Sequence, residues 1–148
     1  MEISMIKVVI IGGGFAGVDC AMNLSKNGQF DLILIDKKDY FEITYAQFAA
    51  LIEPEHVGKK SRFPYTSFLK TMFIQNTVKS VFKDRVIFEN NDFIDYDILV
   101  IAAGSSYNSF PIGKPTEQLS LNERNSFFAS ENAKLSRADR IVIIGGGP

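Results

Sequence analysis

The chain has 148 residues, 46% hydrophobic, 12% aromatic and 22% charged, a composition of one ordinary globular domain large enough to bury a core. That excludes a disordered tail, a collagen-like chain and a coiled coil. Lys and Arg number 16 against 17 Asp and Glu, for a formal net charge of −1, and no basic run exceeds two residues, so neither nucleic acid nor an anionic membrane is advertised as a partner.

The single cysteine, Cys20, cannot form an internal disulfide, and no Cys/His cluster offers a metal site. A reducing, cytoplasmic compartment is the expectation. The apolar stretch Met5 to Val18 is broken by Lys7 and three glycines and carries no cleavage site, so it does not read as a signal peptide. Ile98 to Ala103 is far shorter than the roughly 20 residues a membrane span needs, and Glu2 excludes N-myristoylation.

In chain order, Ile6 to Ile11 is a β-branched run ending at Gly12, the pattern of a buried parallel strand. Phe15 to Asn27 has helical spacing, with Gly28 at its end, and Leu32 to Ile35 forms a second strand closed by Asp36. Strand, helix and strand in about 30 residues make a βαβ unit. From Tyr40 to Phe73 aromatics crowd without a clean period. Short helices are predicted over Ala46 to Ile52 and Tyr65 to Thr71, with His56 in a surface loop between them.

Thr77 to Phe82 and Arg85 to Glu89 alternate apolar and polar residues, which predicts an antiparallel hairpin or meander. Asp97 to Ala102 is a further buried strand closed by Gly104. A polar stretch with Pro111 and Pro115 then leads to a helix near Asn122 to Leu135. Finally Arg140 to Gly147 repeats the pattern of Lys7 to Gly14, and with Gly17 seven of the eleven glycines sit in these two turns. The reading is therefore a domain over residues 1–138 and the first strand of a second over 139–148, cut at its first turn.

Gly12-x-Gly14-x-x-Gly17 follows a strand and opens a helix, which is the context that gives this pattern chemical meaning. Gly12 permits the tight turn, Gly14 lets a pyrophosphate approach the backbone, and Gly17 lets the helix lie close to the strand. Free amides at the helix start then face the phosphates. Ala21 and Gly28 extend the small-residue spacing. Asp36, 19 residues after Gly17, is placed to accept ribose hydroxyls, which disfavours a 2′-phosphate and favours FAD or NAD over NADP in this site.

Val8 to Gly17, Asp36, Asp39-Tyr40-Phe41 with the aromatics after it, Tyr96 to Tyr107 and the second strand with its glycines together resemble a family. They look like pyridine-nucleotide-dependent flavoprotein oxidoreductases with two dinucleotide-binding domains. Within these, the chain is most similar to the apoptosis-inducing-factor-2 (ferroptosis-suppressor) group and its type II NADH dehydrogenase relatives. The resemblance covers the whole chain.

The resemblance implies an α/β fold: a Rossmann-type FAD-binding domain with a parallel sheet and an antiparallel β-meander excursion. It implies that Gly12, Gly13, Gly14, Phe15, Ala16 and Gly17 hold the FAD pyrophosphate and Asp36 the adenosine ribose, while Val78 meets the adenine through its backbone. Ala103, where the family usually has Thr, and Gly104 would lie against the cofactor. The Arg that the family often carries in the following helix has no counterpart in Phe48-Ala49-Ala50. Among Lys37, Lys38 and Lys114, Lys37 is the preferred phosphate or flavin neighbour because it adjoins Asp36. Gly145 and Gly147 would begin the turn for NADH or NADPH.

The activity implied is FAD-dependent NAD(P)H oxidation, with electrons passing to an acceptor such as a quinone. The cofactor carries such chemistry, so no catalytic acid, base or nucleophile is assigned. Cys20 is read as core packing and His56 as solvated. The fragment alone is expected not to turn over NADH. Peripheral membrane attachment of the complete protein, a non-catalytic dinucleotide-binding or redox-sensing module, and an inert truncated product stay open as alternatives.

Overall fold

The computed structural model describes residues 5–107 and 112–145. β1 (Ile6–Ile11), α1 (Phe15–Leu24) and β2 (Phe30–Asp36) form the opening βαβ unit. β3 (Tyr40–Glu42) follows, then a 3-10 turn at Thr44–Ala46, α2 (Gln47–Ile52), a single π-helical turn at Pro54–Gly58, and β4 (Arg62–Pro64). After a 3-10 turn at Tyr65–Ser67 come β5 (Met72–Gln75), β6 (Val78–Val81), β7 (Arg85–Phe88), β8 (Phe93–Asp95) and β9 (Ile98–Ile101). The long helix α3 spans Leu121–Ser136.

The central sheet runs β5-β2-β1-β9, and all its pairings are parallel. Strand residues alternate between two faces, and both faces are covered. Val8, Ile10, Leu32 and Leu34 pack against Val18 and Ala21 of α1 and against Tyr65, whereas Val9, Ile33 and Ile35 pack against Val86 and Phe88 of β7. This double burial explains why β1 and β2 read as continuous apolar runs rather than alternating ones. The antiparallel meander β6-β7-β8 thus serves as the cover of one face, where a helix would otherwise lie.

Several expectations are corrected. The helix predicted over 65–71 is only the turn Tyr65–Ser67, because the Tyr65 side chain is drawn into the core and the chain then extends as β5, pairing Met72 to Gln75 with Ile33 to Asp36. The first helix stops at Leu24, and residues 25–27 close by single turns. Gly28 packs against nothing: a Cβ there would find open space, so it is no part of a tight helix–sheet contact. His56 lies in the π-helical turn rather than a loop, exposed, with Nε2 3.4 Å from Lys60 Nζ. Cys20 is half-buried and packs against the first core, as expected.

The terminal strand is also corrected: Ile141 to Ile144 form no strand and are 57–94% exposed, since no neighbouring strand pairs with them among the described residues. Gly145 nevertheless has φ +91°, close to the φ +102° of its counterpart Gly12. Gly146, Gly147 and Pro111 lie outside the described residues. No helix among the described residues is long and apolar enough to cross a membrane.

Candidate dinucleotide site

The site begins where β1 ends. Gly12 N–H donates to the Ile35 carbonyl at 2.8 Å and turns the chain with φ +102°, and a Cβ there would overlap the Ala102 carbonyl. Only glycine meets both demands. Gly13 is buried, donating its N–H to Asp36 Oδ2 at 2.6 Å and accepting the Tyr65 hydroxyl at 2.7 Å on its carbonyl. A Cβ on Gly17 would overlap the Gly12 carbonyl oxygen, so α1 approaches the turn as closely as backbone allows.

Gly14 differs from these three. It is exposed, its φ of −73° suits any residue, and a Cβ would meet nothing within 4 Å. What glycine provides there is space outside the fold. No side chain caps the start of α1 and no acidic residue occupies its first turn, so the first-turn amides and the positive end of the helix dipole are left for a ligand or water.

These groups border a cleft of about 470 Å³ at the carboxyl ends of β1, β2 and β9. The strand order reverses direction between β1 and β9, the kind of switch point at which open parallel sheets form ligand crevices. Gly12, Gly13, Gly14, Phe15, Ala16, Asp36, Lys37, Val78, Ala103 and Gly104 all line the cleft. Gly17 stands behind it, and Gly145 is not among its lining. Asp36 Oδ1 accepts the Lys38 N–H at 2.8 Å, so each carboxylate oxygen is anchored by one backbone amide and retains a lone pair toward the cleft.

Behind the cleft lies a charged cluster that the sequence did not announce. Glu42, which lines the cleft, takes Arg124 Nε at 3.0 Å and Arg62 Nη1 at 3.4 Å on Oε1, and Arg124 Nη2 at 3.1 Å and Gln47 Nε2 at 3.2 Å on Oε2. All three charged side chains are at least 97% buried. Both guanidiniums also lie over the Phe128 ring, Arg62 at 4.2 Å and Arg124 at 4.7 Å. Burial pulls the Arg62 guanidinium below its ordinary value, and Glu42 opposes the pull. Burial raises the Tyr40 and Tyr65 hydroxyls, helped by Glu42 at Tyr40 and by Asp36 at Tyr65.

Two of these residues had a local signal in hindsight: Glu42 interrupts an aromatic run, and Tyr65 follows a proline that sets an extended entry. Arg124 had none, since its partner lies 82 residues away. Among the described residues no group of His, Cys, Asp and Glu could hold a metal ion.

The sequence matches the pyridine nucleotide-disulphide oxidoreductase family over residues 6–148, and the chain belongs to that family. It is 34% identical over 142 residues to apoptosis-inducing factor homolog A of Dictyostelium discoideum, covering 95% of this chain and 34% of that protein. It is 32% identical over 144 residues to ferroptosis suppressor protein 1 of Xenopus tropicalis, covering 96% and 37%. The chain thus spans about a third of the length of these relatives.

Among solved structures, the sulfide:quinone oxidoreductase of Aquifex aeolicus aligns with a TM-score of 0.65 at 22% identity, over 88% of this chain and 32% of that one. NDH2 of Plasmodium falciparum, solved with NADH, aligns with a TM-score of 0.58 at 23% identity, over 72% and 24%. Both likenesses show the fold.

Proposed function

We propose that the chain is the FAD-binding part of an FAD-dependent NAD(P)H oxidoreductase, in which hydride passes from nicotinamide to flavin and electrons pass on to a quinone-like acceptor. The observation that carries this reading is the glycine turn at the sheet's switch point, closed by backbone at Gly12 and Gly17 and by the Tyr65 side chain at Gly13, and open over Gly14. Uncapped amides and an anchored Asp36 suit a pyrophosphate and a ribose. The family and the quinone oxidoreductase among the structural neighbours support the class of reaction.

Bound FAD would supply the redox chemistry. The chain's own residues bind and orient: the Gly12–Gly17 turn holds phosphate, Asp36 accepts ribose hydroxyls, and Val78, Ala103 and Gly104 border the rest. Gly145 and Gly147 begin a second nucleotide turn, with the domain boundary near residue 138. Residues 1–148 alone are not expected to turn over NADH. The reading includes a cytoplasmic location and peripheral membrane attachment.

Titration of the purified chain with FAD, followed by quenching of flavin fluorescence, tests the reading. Saturable 1:1 binding is expected, and Gly14→Val should abolish it while leaving the circular dichroism unchanged, because that side chain has room in the protein but not beside a ligand. Wild-type affinity in Gly14→Val would refute the cofactor site. Equal binding of NADH and FAD would favour a nucleotide-sensing module instead.

A further inference from the structure

Two exposed asparagines, far from the cleft, fold their side chains back over the peptide that follows them. Asn27 Oδ1 accepts the Gln29 N–H at 3.1 Å, and Asn90 Oδ1 accepts the Asp92 N–H at 3.1 Å. Each is an Asx turn, in which the side-chain carbonyl stands in for a backbone one and its carbon is brought toward the next amide nitrogen. The donated hydrogen bond also polarises that carbonyl.

The two turns part at the next residue. Asn90 is followed by Asn91, which carries a Cβ, sits at φ +66° and commits its N–H to the Phe88 carbonyl at 2.9 Å. Asn27 is followed by Gly28, and this is the one Asn-Gly pair of the sequence. Gly28 is exposed, a Cβ there would meet nothing within 4 Å, and among the described residues its N–H donates to none. Glycine also gives the backbone the freedom to swing its nitrogen onto the side-chain carbon. Asn27 therefore has an oriented electrophile beside an unoccupied nucleophile, whereas Asn90 has the first without the second.

We propose that Asn27 is a modification site, deamidating spontaneously in the folded chain and loosening the junction of α1 and β2 as the protein ages. The Gly28 amide loses its proton to a base in solution, and its nitrogen bonds to Asn27 Cγ. The charge that develops on Oδ1 is met by the Gln29 N–H. The Cγ–Nδ2 bond then breaks, the nitrogen leaves as ammonia with a proton from water, and a cyclic imide remains. Water opens that imide at either carbonyl, to aspartate or isoaspartate, with no change of oxidation state. Both products add a carboxylate just past the carboxyl end of α1, where the helix dipole is already negative. Isoaspartate also lengthens the main chain by a methylene, shortly before the Gln29 carbonyl takes the Ile6 N–H at 3.0 Å and Phe30 pairs with Ile6. None of this depends on a bound cofactor.

Peptide mapping by mass spectrometry, with enzymatic methylation to mark isoaspartate, tests this on the purified chain held in mildly alkaline buffer. Asn27 should convert ahead of Asn90, and at a rate no lower than in the same chain unfolded by guanidinium. Gly28→Ala has room for its Cβ and a backbone outside the left-handed region, so it should keep the circular dichroism of wild type while losing most of the conversion. The converted chain should unfold at a lower urea midpoint than the fresh one. Slower conversion of Asn27 in the native chain than in the unfolded one, or conversion of Gly28→Ala at the wild-type rate, overturns the site. An unchanged midpoint after full conversion overturns its effect on the junction.

Discussion

The two walls of the cleft are built from opposite materials. The glycine turn is backbone and empty space: its three buried glycines are fixed by overlaps that any Cβ would create, and its only side-chain support comes from Asp36 and Tyr65. The wall at Ile112 to Leu119 is irregular backbone held by buried charge, through Arg124, Glu42 and Arg62. A turn of the first kind is marked in the sequence by six residues. A wall of the second kind exists only once segments some 80 residues apart have met, so its failure modes are those of buried electrostatics rather than sterics.

The comparison breaks most visibly at Glu42. Glu42→Gln leaves two buried guanidiniums without a counter-charge, and loss of one partner from such a cluster costs about 3–5 kcal/mol, a large part of a small domain's stability. A strongly lowered urea midpoint is expected. Replacing Glu42, Arg62 and Arg124 together by apolar residues should recover much of that midpoint, because no charge then remains unpaired. If the triple variant is no more stable than Glu42→Gln, charge is not what makes the wall fragile.

On the other wall the sharpest contrast is between two glycines three residues apart. Gly17→Ala forces a Cβ into the Gly12 carbonyl and should cost about 1–3 kcal/mol, the range for overpacking. Gly14→Ala meets nothing and should be within about 0.5 kcal/mol of wild type, as surface substitutions usually are. Urea midpoints of the two variants measured side by side check this, and equal costs would contradict the steric account.

The same contrast explains what could be read from sequence. β1, α1, β2 and β9 were legible because burial on both sheet faces writes itself as apolar runs, and the turn because its glycines have fixed spacing. Residues 40–75 were poorly legible. There β3 and β4 are three residues each and pair across a helix and two turns, so neither shows a period. β5 has no prediction in the sequence because a strand of four residues carries too few alternations to show a period. In the site, the lysines were visible but not their commitments, which depend on a carbonyl at residue 116 and a ring at residue 40.

Tyr65 joins the two kinds of support, since it is fully buried and holds Gly13 by its hydroxyl. Tyr65→Phe leaves that carbonyl without its donor and should cost about 1 kcal/mol. The pH dependence has a definite sign. Tyr40 and Tyr65 are both raised above their ordinary 10.0, so the fold favours their neutral forms, and their contribution is complete below that value and lost as pH rises beyond it. A phenolate absorbance titration should therefore show Tyr40 and Tyr65 ionising only together with unfolding. Ionisation of Tyr40 and Tyr65 near pH 10.0 in a chain that remains folded would contradict their burial.

A modest effect is expected where the wall hands over to α3. Ser120 caps that helix, accepting the Glu123 amide at 3.2 Å, while the Glu123 carboxylate accepts the Ser120 amide at 2.9 Å. Ser120→Ala should cost about 1 kcal/mol, read as a modest shift in urea midpoint. It should also weaken FAD binding slightly if the cap helps to set the angle at which α3 presents Arg124 to the wall. The Ser120 hydrogen bonds hold the Glu123 carboxyl below its ordinary value, so its contribution is present above that value and lost as pH falls through the lowered one. The stability difference between wild type and Glu123→Ala should accordingly narrow as the solution is acidified. A difference that stayed constant into strong acid would mean the carboxylate is not what the cap uses, and that α3 is oriented by the buried Arg124 alone.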